Sequence, residues 1–257
     1  MKKIMSRKSM LAVIVISFTA AFGRAAASAP AISAQPVIST SPRSLIINGK
    51  PFFMLSGAMH YFRVPKQQWR DRLEKMREAG INTIDTYIPW NWHEATKGQA
   101  DYSEFEEFEQ LVREMGFFML ARPGPYICSE WFAGAYPEWL NATGVKLRST
   151  EPVHLEAVEN YYNTVLPIIR RRLITHGGSI ILVQIENEYN YAEVEFTPPK
   201  KLRYINFLYD LAMKNGIDTP IITCWTHEAR DETTTMGRAV IDTMNLYVNA
   251  DFDRIET

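Results

Sequence analysis

Apolar residues along this chain follow two alternating patterns. Short, unbroken apolar runs recur between longer stretches in which apolar residues return every three or four positions. The first pattern predicts strands buried on both faces, the second amphipathic helices. The runs fall at 52–60, 82–88, 117–122, 179–183, 220–225 and 241–248. Between them, 66–79 places Trp69, Leu73 and Met76 at helical spacing, with Gly80 as a C-cap. The stretch 102–115 puts Phe105, Phe108, Leu111, Val112 and Met115 on one face, and Gly116 closes it. A long helix is expected over 154–173, with Leu155, Val158, Val165, Ile169 and Leu173 on one side and a kink or break at Pro167. A further helix is expected over 200–214.

Strands alternating with helices predict βα units and a parallel sheet, either open and doubly wound or closed into a barrel. No glycine-rich phosphate-binding fingerprint follows the first strand. Polar residues instead cluster after several different strands, as at a barrel mouth. The expected fold class is α/β, a (β/α)8 TIM barrel with about six of its eight βα units in this chain. Residues 251–257 start a helical pattern and stop within it, so the barrel is expected to be truncated at its C-terminal side.

The first 29 residues stand apart. Lys2, Lys3, Arg7 and Lys8 precede an apolar run over 10–22, and small residues with an A-x-A pattern follow at 25–29. That is the form of a secretory signal peptide, which predicts export to the periplasm, the cell surface or the medium. Residues 30–43, rich in Ser, Pro and Ala, read as a linker, and 44–257 as the folded domain. A net charge of −1 gives no footing for a nucleic-acid or membrane partner after signal cleavage. Cys128 and Cys224 are compatible with a disulfide in an oxidising compartment, but their places at strand ends favour two buried free thiols. The five histidines show no metal-ligand spacing, so neither a metal nor a cofactor is expected.

The candidate chemistry gathers after the strands. His60, Tyr61 and Arg63 follow the first; Tyr87, Trp90, Asn91, Trp92 and Glu94 the second; Arg122, Tyr126, Cys128, Glu130 and Trp131 the third. Glu186, Asn187 and Glu188 follow the fourth, inside the segment QIENEY, and Asn245 and Tyr247 the sixth. Carboxylates, amides and large aromatic faces are the groups needed to hold a sugar and protonate its glycosidic oxygen. Trp90 and Trp92 serve either as sugar contacts or as wall packing.

Three segments together, DTYIPWNWHE (85–94), RPGPYICSEW (122–131) and QIENEY (184–189), closely resemble glycoside hydrolase family 35, whose best-known members are β-galactosidases. SGAMHYFR (56–63) resembles that family's first strand, and the likeness runs from about Ser44 to the end. The resemblance implies a (β/α)8 catalytic domain that removes terminal non-reducing β-D-galactosyl residues from glycans or oligosaccharides with retention. By position, Glu188 matches the general acid/base and Asn187 the residue that binds the sugar's 2-hydroxyl. Glu186 and Glu130 are candidate sources of like charge that would hold the Glu188 proton. Tyr87, Cys128, Ser129 and Glu130 match sugar-binding positions; Ser129 stands where Ala is frequent, and a backbone contact is expected there. Trp90, Glu186, Asn245 and Tyr247 complete the candidate substrate-binding set, with the alternative that Glu186 is a structural carboxylate paired with an arginine such as Arg122. The family's nucleophile, a second Glu after strand seven, has no match in this chain. The chain alone is therefore expected to be inactive. The alternatives are a non-catalytic carbohydrate-binding remnant and a related β-glycosidase with another sugar preference.

Overall fold

The computed structural model describes residues 37–189, 198–226 and 238–245. The first strands are β1 (Ile38–Ser41), β2 (Ser44–Ile47) and β3 (Lys50–Phe52), which form an antiparallel sheet of their own. Ser41 pairs with Ser44 across Pro42 and Arg43, and Ser41 Oγ accepts from the amides of Arg43 and Ser44 at 3.3 and 3.1 Å. Within the 30–43 stretch read as a linker, Ile38–Ser41 is a strand, because β-branched Ile38 and Thr40 pair across a tight turn; residues 30–36 lie outside the described residues. Ile38, Leu45, Ile47 and Phe52 pack with Leu120, Leu182 and Ile222. Phe52 also meets Phe118 edge-on at 5.0 Å, so the small sheet covers the end where the parallel strands begin.

The parallel sheet runs in chain order: β4 (Ser56–Ala58), β5 (Thr83–Tyr87), β6 (Phe118–Gly124), β7 (Ile180–Ile185), β8 (Ile221–Thr226) and β9 (Val240–Asn245). Every neighbouring pair is parallel. The connections carry α1 (Trp69–Glu78), α2 (Trp90–His93), α3 (Ser103–Glu114), α4 (Glu138–Asn141), α5 (Pro152–Arg170) and α6 (Pro198–Lys214). Consecutive parallel strands with intervening helices are the (β/α) barrel arrangement, here with six strands among the described residues. Leu73 of α1, Phe105, Phe108 and Val112 of α3, and Val158, Val165 and Ile169 of α5 are buried in one core with Ile84, Met119, Ile180 and Val183 of the strands. Gly80 and Gly116 end α1 and α3 at φ values of 86° and 77°, which side chains resist.

Two expectations shift. The apolar run 52–60 is divided between β3 and β4, because Asn82 bridges the gap: it accepts from the Leu55 amide at 3.0 Å and donates to the Phe53 carbonyl at 2.8 Å. Helix α5 passes through Pro167 without a break and ends at Arg170. Pro167 lies in the last turn, so a single helix bond is missing there, and its carbonyl still accepts from Arg171 at 3.3 Å.

Candidate active site

Strand register places Tyr87 beside Arg122 at the C-terminal end of β5 and β6. The Arg122 guanidinium lies 3.9 Å from the centre of the Tyr87 ring. It donates to Asp85 Oδ2 at 3.0 Å and to Asn187 Oδ1 at 2.8 Å. Asn187 Oδ1 also accepts from the Tyr87 hydroxyl at 3.1 Å and from Gln184 Nε2 at 3.4 Å. Three donors on one oxygen fix the orientation of the amide and leave Nδ2 without a partner among the described residues. Burial raises the pKa of the Tyr87 phenol well above its usual value, against the pull of Arg122, so it stays a donor. Burial likewise raises the Asp85 pKa, and Arg122 opposes it.

The two glutamates of the ENE triplet have opposite surroundings. Glu186 is 2 % exposed. Its carboxylate accepts from Arg148 Nε at 3.2 Å and Arg148 Nη2 at 2.7 Å, from the Asn187 amide at 2.8 Å and from the Tyr204 hydroxyl at 3.3 Å. Burial pushes the Glu186 pKa up, and Arg148 is the main opposing influence. Glu186 is thus enclosed and paired within the protein; its partner is Arg148, while Arg122 serves Asp85. Glu188 is only half-buried, and among the described residues one hydrogen bond reaches its carboxylate, from Asn245 Nδ2 at 2.6 Å. Among the described residues no cation pairs with it. Its backbone is pinned by the Cys224 carbonyl at 2.8 Å, and both glutamates take positive φ, 59° and 45°. Such conformations cost on the order of 1 kcal/mol each and cluster at functional sites.

A second strained segment faces the mouth from the loop after β6. Cys128, Ser129 and Glu130 lie in consecutive left-handed conformations, at φ 54°, 51° and 44°. The Arg63 guanidinium ties them down by donating to the carbonyls of Ser129 and Glu130. Glu130 is exposed and Ser129 buried. Both cysteines are free; Cys224 is buried as expected, with its pKa pushed to about 11 chiefly by burial, while Cys128 is half-exposed. His60, at the end of β4, stacks on Phe62 with centroids 5.5 Å apart and lies 5.1 Å from Tyr87. Burial, then Arg63 and Arg122, lower its pKa to about 4, so the ring is neutral, and its buried Nδ1 has no partner among the described residues.

Trp90 does not reach the mouth. It is 1 % exposed, stacked on Tyr161 at 4.4 Å, with its indole N–H on Glu94 at 2.7 Å. Its place as the first residue of α2 turns it back into the core, so it is wall packing. Trp92, two residues on, is exposed. Tyr247 lies outside the described residues. Arg148, Tyr204 and His154 belong to this site and carry no sequence pattern that marks them, while Asp85 opens the segment DTYIPWNWHE without having been singled out as a site residue. Arg148 sits in an aperiodic loop, and its guanidinium lies 3.8 Å from the Tyr126 ring centre. The backbone amide of Arg148 donates to His154 Nε2 at 3.1 Å. Among the described residues, no cluster of His, Cys, Asp and Glu is placed to hold a metal ion.

The model of glycosyl hydrolases family 35 matches residues 44–255. An exo-beta-D-glucosaminidase from Thermococcus kodakarensis is 42% identical over 183 residues, which cover 62% of this chain and 23% of that protein. A beta-galactosidase from Macaca fascicularis is 44% identical over 176 residues, covering 66% and 25%, and one from Homo sapiens is 43% identical over 176 residues with the same coverage. The chain thus spans about a quarter of the length of these relatives. In fold it is similar to an exo-beta-1,4-mannosidase from Opitutaceae bacterium strain TAV5, with a TM-score of 0.59 at 16% identity over 70% of this chain and 33% of that one. A beta-galactosidase from the psychrophilic Marinomonas ef1 gives 0.55 at 12% identity over 76% and 41%.

Proposed function

Because this chain belongs to glycosyl hydrolases family 35, we propose that it is the first part of a retaining exo-glycosidase that removes terminal β-D-galactosyl residues. Glu188 is the general acid/base. The observation that carries this reading is the contrast within the ENE triplet: Glu186 is enclosed by Arg148, whereas Glu188 stands at the mouth with one amide on its carboxylate. A carboxyl so placed is able to give a proton to a leaving oxygen and recover one from water. Asn187 offers Nδ2 to a sugar hydroxyl, because Arg122, Tyr87 and Gln184 hold its oxygen. Cys128, Ser129 and Glu130 line the same mouth and complete the sugar site with Asn245. Retention requires a second carboxylate about 5–5.5 Å from the first. We place that nucleophile on a later strand of the longer protein, beyond residue 245. The leader at 1–29 would direct that protein out of the cytoplasm.

The Thermococcus kodakarensis relative supports a second reading, a β-glucosaminide as substrate on the same machinery. One experiment separates the possibilities. The protein carrying the complete barrel is assayed on aryl β-galactoside, β-glucoside and β-glucosaminide, and the first-formed sugar is followed by proton NMR. Preference for the galactoside and release of the β-anomer first are expected. Preference for the glucosaminide transfers the activity to the second reading, and first release of the α-anomer overturns retention.

A further inference from the structure

Behind the ENE triplet, a buried histidine is fastened to the loop that carries Arg148. His154 is the third residue of α5 and is 0% exposed. Helical side chains lean toward the N-terminus, so its ring turns back onto the residues just before the helix. Nε2 lies 3.1 Å from the Arg148 amide and 3.1 Å from the Tyr136 hydroxyl. A backbone amide only donates, so Nε2 carries no proton. Nδ1 carries it instead and donates to the Ser149 carbonyl at 2.9 Å, a shorter contact than the 3.4 Å to the Ser149 amide. Burial lowers the pKa of the ring to about 4, which favours the same neutral form.

These two bonds bracket the Arg148 backbone, whose φ is 54°. A residue other than glycine keeps such a conformation when its surroundings impose it. The Tyr189 hydroxyl adds a third hold, on the Arg148 carbonyl at 3.0 Å. From this fixed backbone the guanidinium reaches Glu186 Oε2 and the Asn187 carbonyl, both at 2.7 Å. A second route leads to the same place: the Tyr136 hydroxyl lies 3.4 Å from that of Tyr204, which donates to Glu186 at 3.3 Å. The groups facing the ring are thus Arg148 and Glu151 from the segment before α5, Tyr136 from the loop after β6 and Tyr204 from α6, with Glu186 behind them.

We propose that His154 is a positioning residue of the glycosidase: its bare Nε2 fixes the Arg148 backbone and, through the Arg148 guanidinium, sets Asn187 in place for the sugar's 2-hydroxyl. This role rests on the glycosidase reading above and adds to it a group that acts without touching the sugar.

The test compares kcat/KM for 4-nitrophenyl β-D-galactopyranoside and its 2-deoxy analogue, in the protein carrying the complete barrel. The ratio of the two reports the 2-hydroxyl contact, and a general loss of folded enzyme cancels in it. His154→Asn reaches only the place of Nδ1 and leaves the Arg148 amide without its acceptor. His154→Gln reaches the place of Nε2 and offers its amide oxygen there. The ratio should fall by about 10-fold or more in His154→Asn, as expected for a displaced contact, and His154→Gln should keep most of it. The same ratio in the unaltered protein should stay level from pH 7 to pH 5 and drop about twofold at pH 4, where half of the His154 rings gain a proton at Nε2. In His154→Gln it should stay level throughout. If His154→Asn does not fold, this pH dependence decides alone. A ratio unchanged in His154→Asn, or level to pH 4 in the unaltered protein, overturns the positioning role and leaves the glycosidase reading standing. If the unaltered protein hydrolyses neither compound, the glycosidase reading fails and the role of His154 falls with it.

Discussion

Glu186 and Glu188 are separated by one residue, and the packing around them assigns different work to each. Arg148 makes the difference. It is buried with Glu186, lies over the Tyr126 ring and donates to the Asn187 carbonyl at 2.7 Å, so one side chain neutralises the first glutamate and positions the asparagine that follows. Removing one partner of a buried ion pair costs about 3–5 kcal/mol, because the other charge is left uncompensated. Arg148→Met should therefore lower stability to urea by that order, and Arg148→Met with Glu186→Gln should recover part of the loss. A double variant no more stable than Arg148→Met alone would count against the pair as the cause. QIENEY was legible in the sequence as a carboxylate site at a strand end. That Glu186 is withdrawn from the mouth was not, because its partner lies 38 residues earlier in a loop without periodicity.

Among the elements, the helices were the most legible, because burial against a sheet imposes the 3.6-residue period seen at Phe105, Phe108 and Val112. The small sheet over the barrel's end was hidden because its first strand, ISTS, is short and lies in a Ser- and Pro-rich stretch, although its β-branched Ile38 and Thr40 suit a strand. Trp90 was ambiguous because an aromatic residue after a strand suits both a mouth and a wall. Two elements also carry buried histidines. His93 of α2 and His154 of α5 are 4% and 0% exposed, and burial lowers both pKa values from 6.5 to about 4. The unfolded chain binds protons at these sites below pH 6.5 while the folded chain stays neutral until about pH 4. Stability they permit at neutral pH is thus lost as pH falls across that window, by on the order of 3 kcal/mol for a shift of this size. Urea midpoints from pH 7 to pH 4 should decline, and His93→Gln should decline less steeply. An equal slope in the variant would remove His93 from the account.

At the scale of the molecule, the order of strands was readable because each βα unit repeats the same hydrophobic plan, and parallel neighbours follow from right-handed crossovers. The barrel's purpose in this chain is to bring Tyr87, Arg122, Asn187 and Glu188 together at one rim from β5, β6 and the segment after β7, 100 residues apart between Tyr87 and Asn187. Contacts of that span leave no local trace, and only the motifs at the strand ends announced them. The claim that depends on this assembly is the role of Glu188 as acid/base. The most direct test compares Glu188→Gln with the unaltered protein, each carrying the complete barrel, on an alkyl β-galactoside and a 2,4-dinitrophenyl β-galactoside. Loss of kcat/KM by about 10²- to 10⁴-fold on the alkyl substrate is predicted, with far less on the dinitrophenyl one, whose leaving group departs without a proton. Equal losses on the two substrates, or no loss on either, would contradict the assignment.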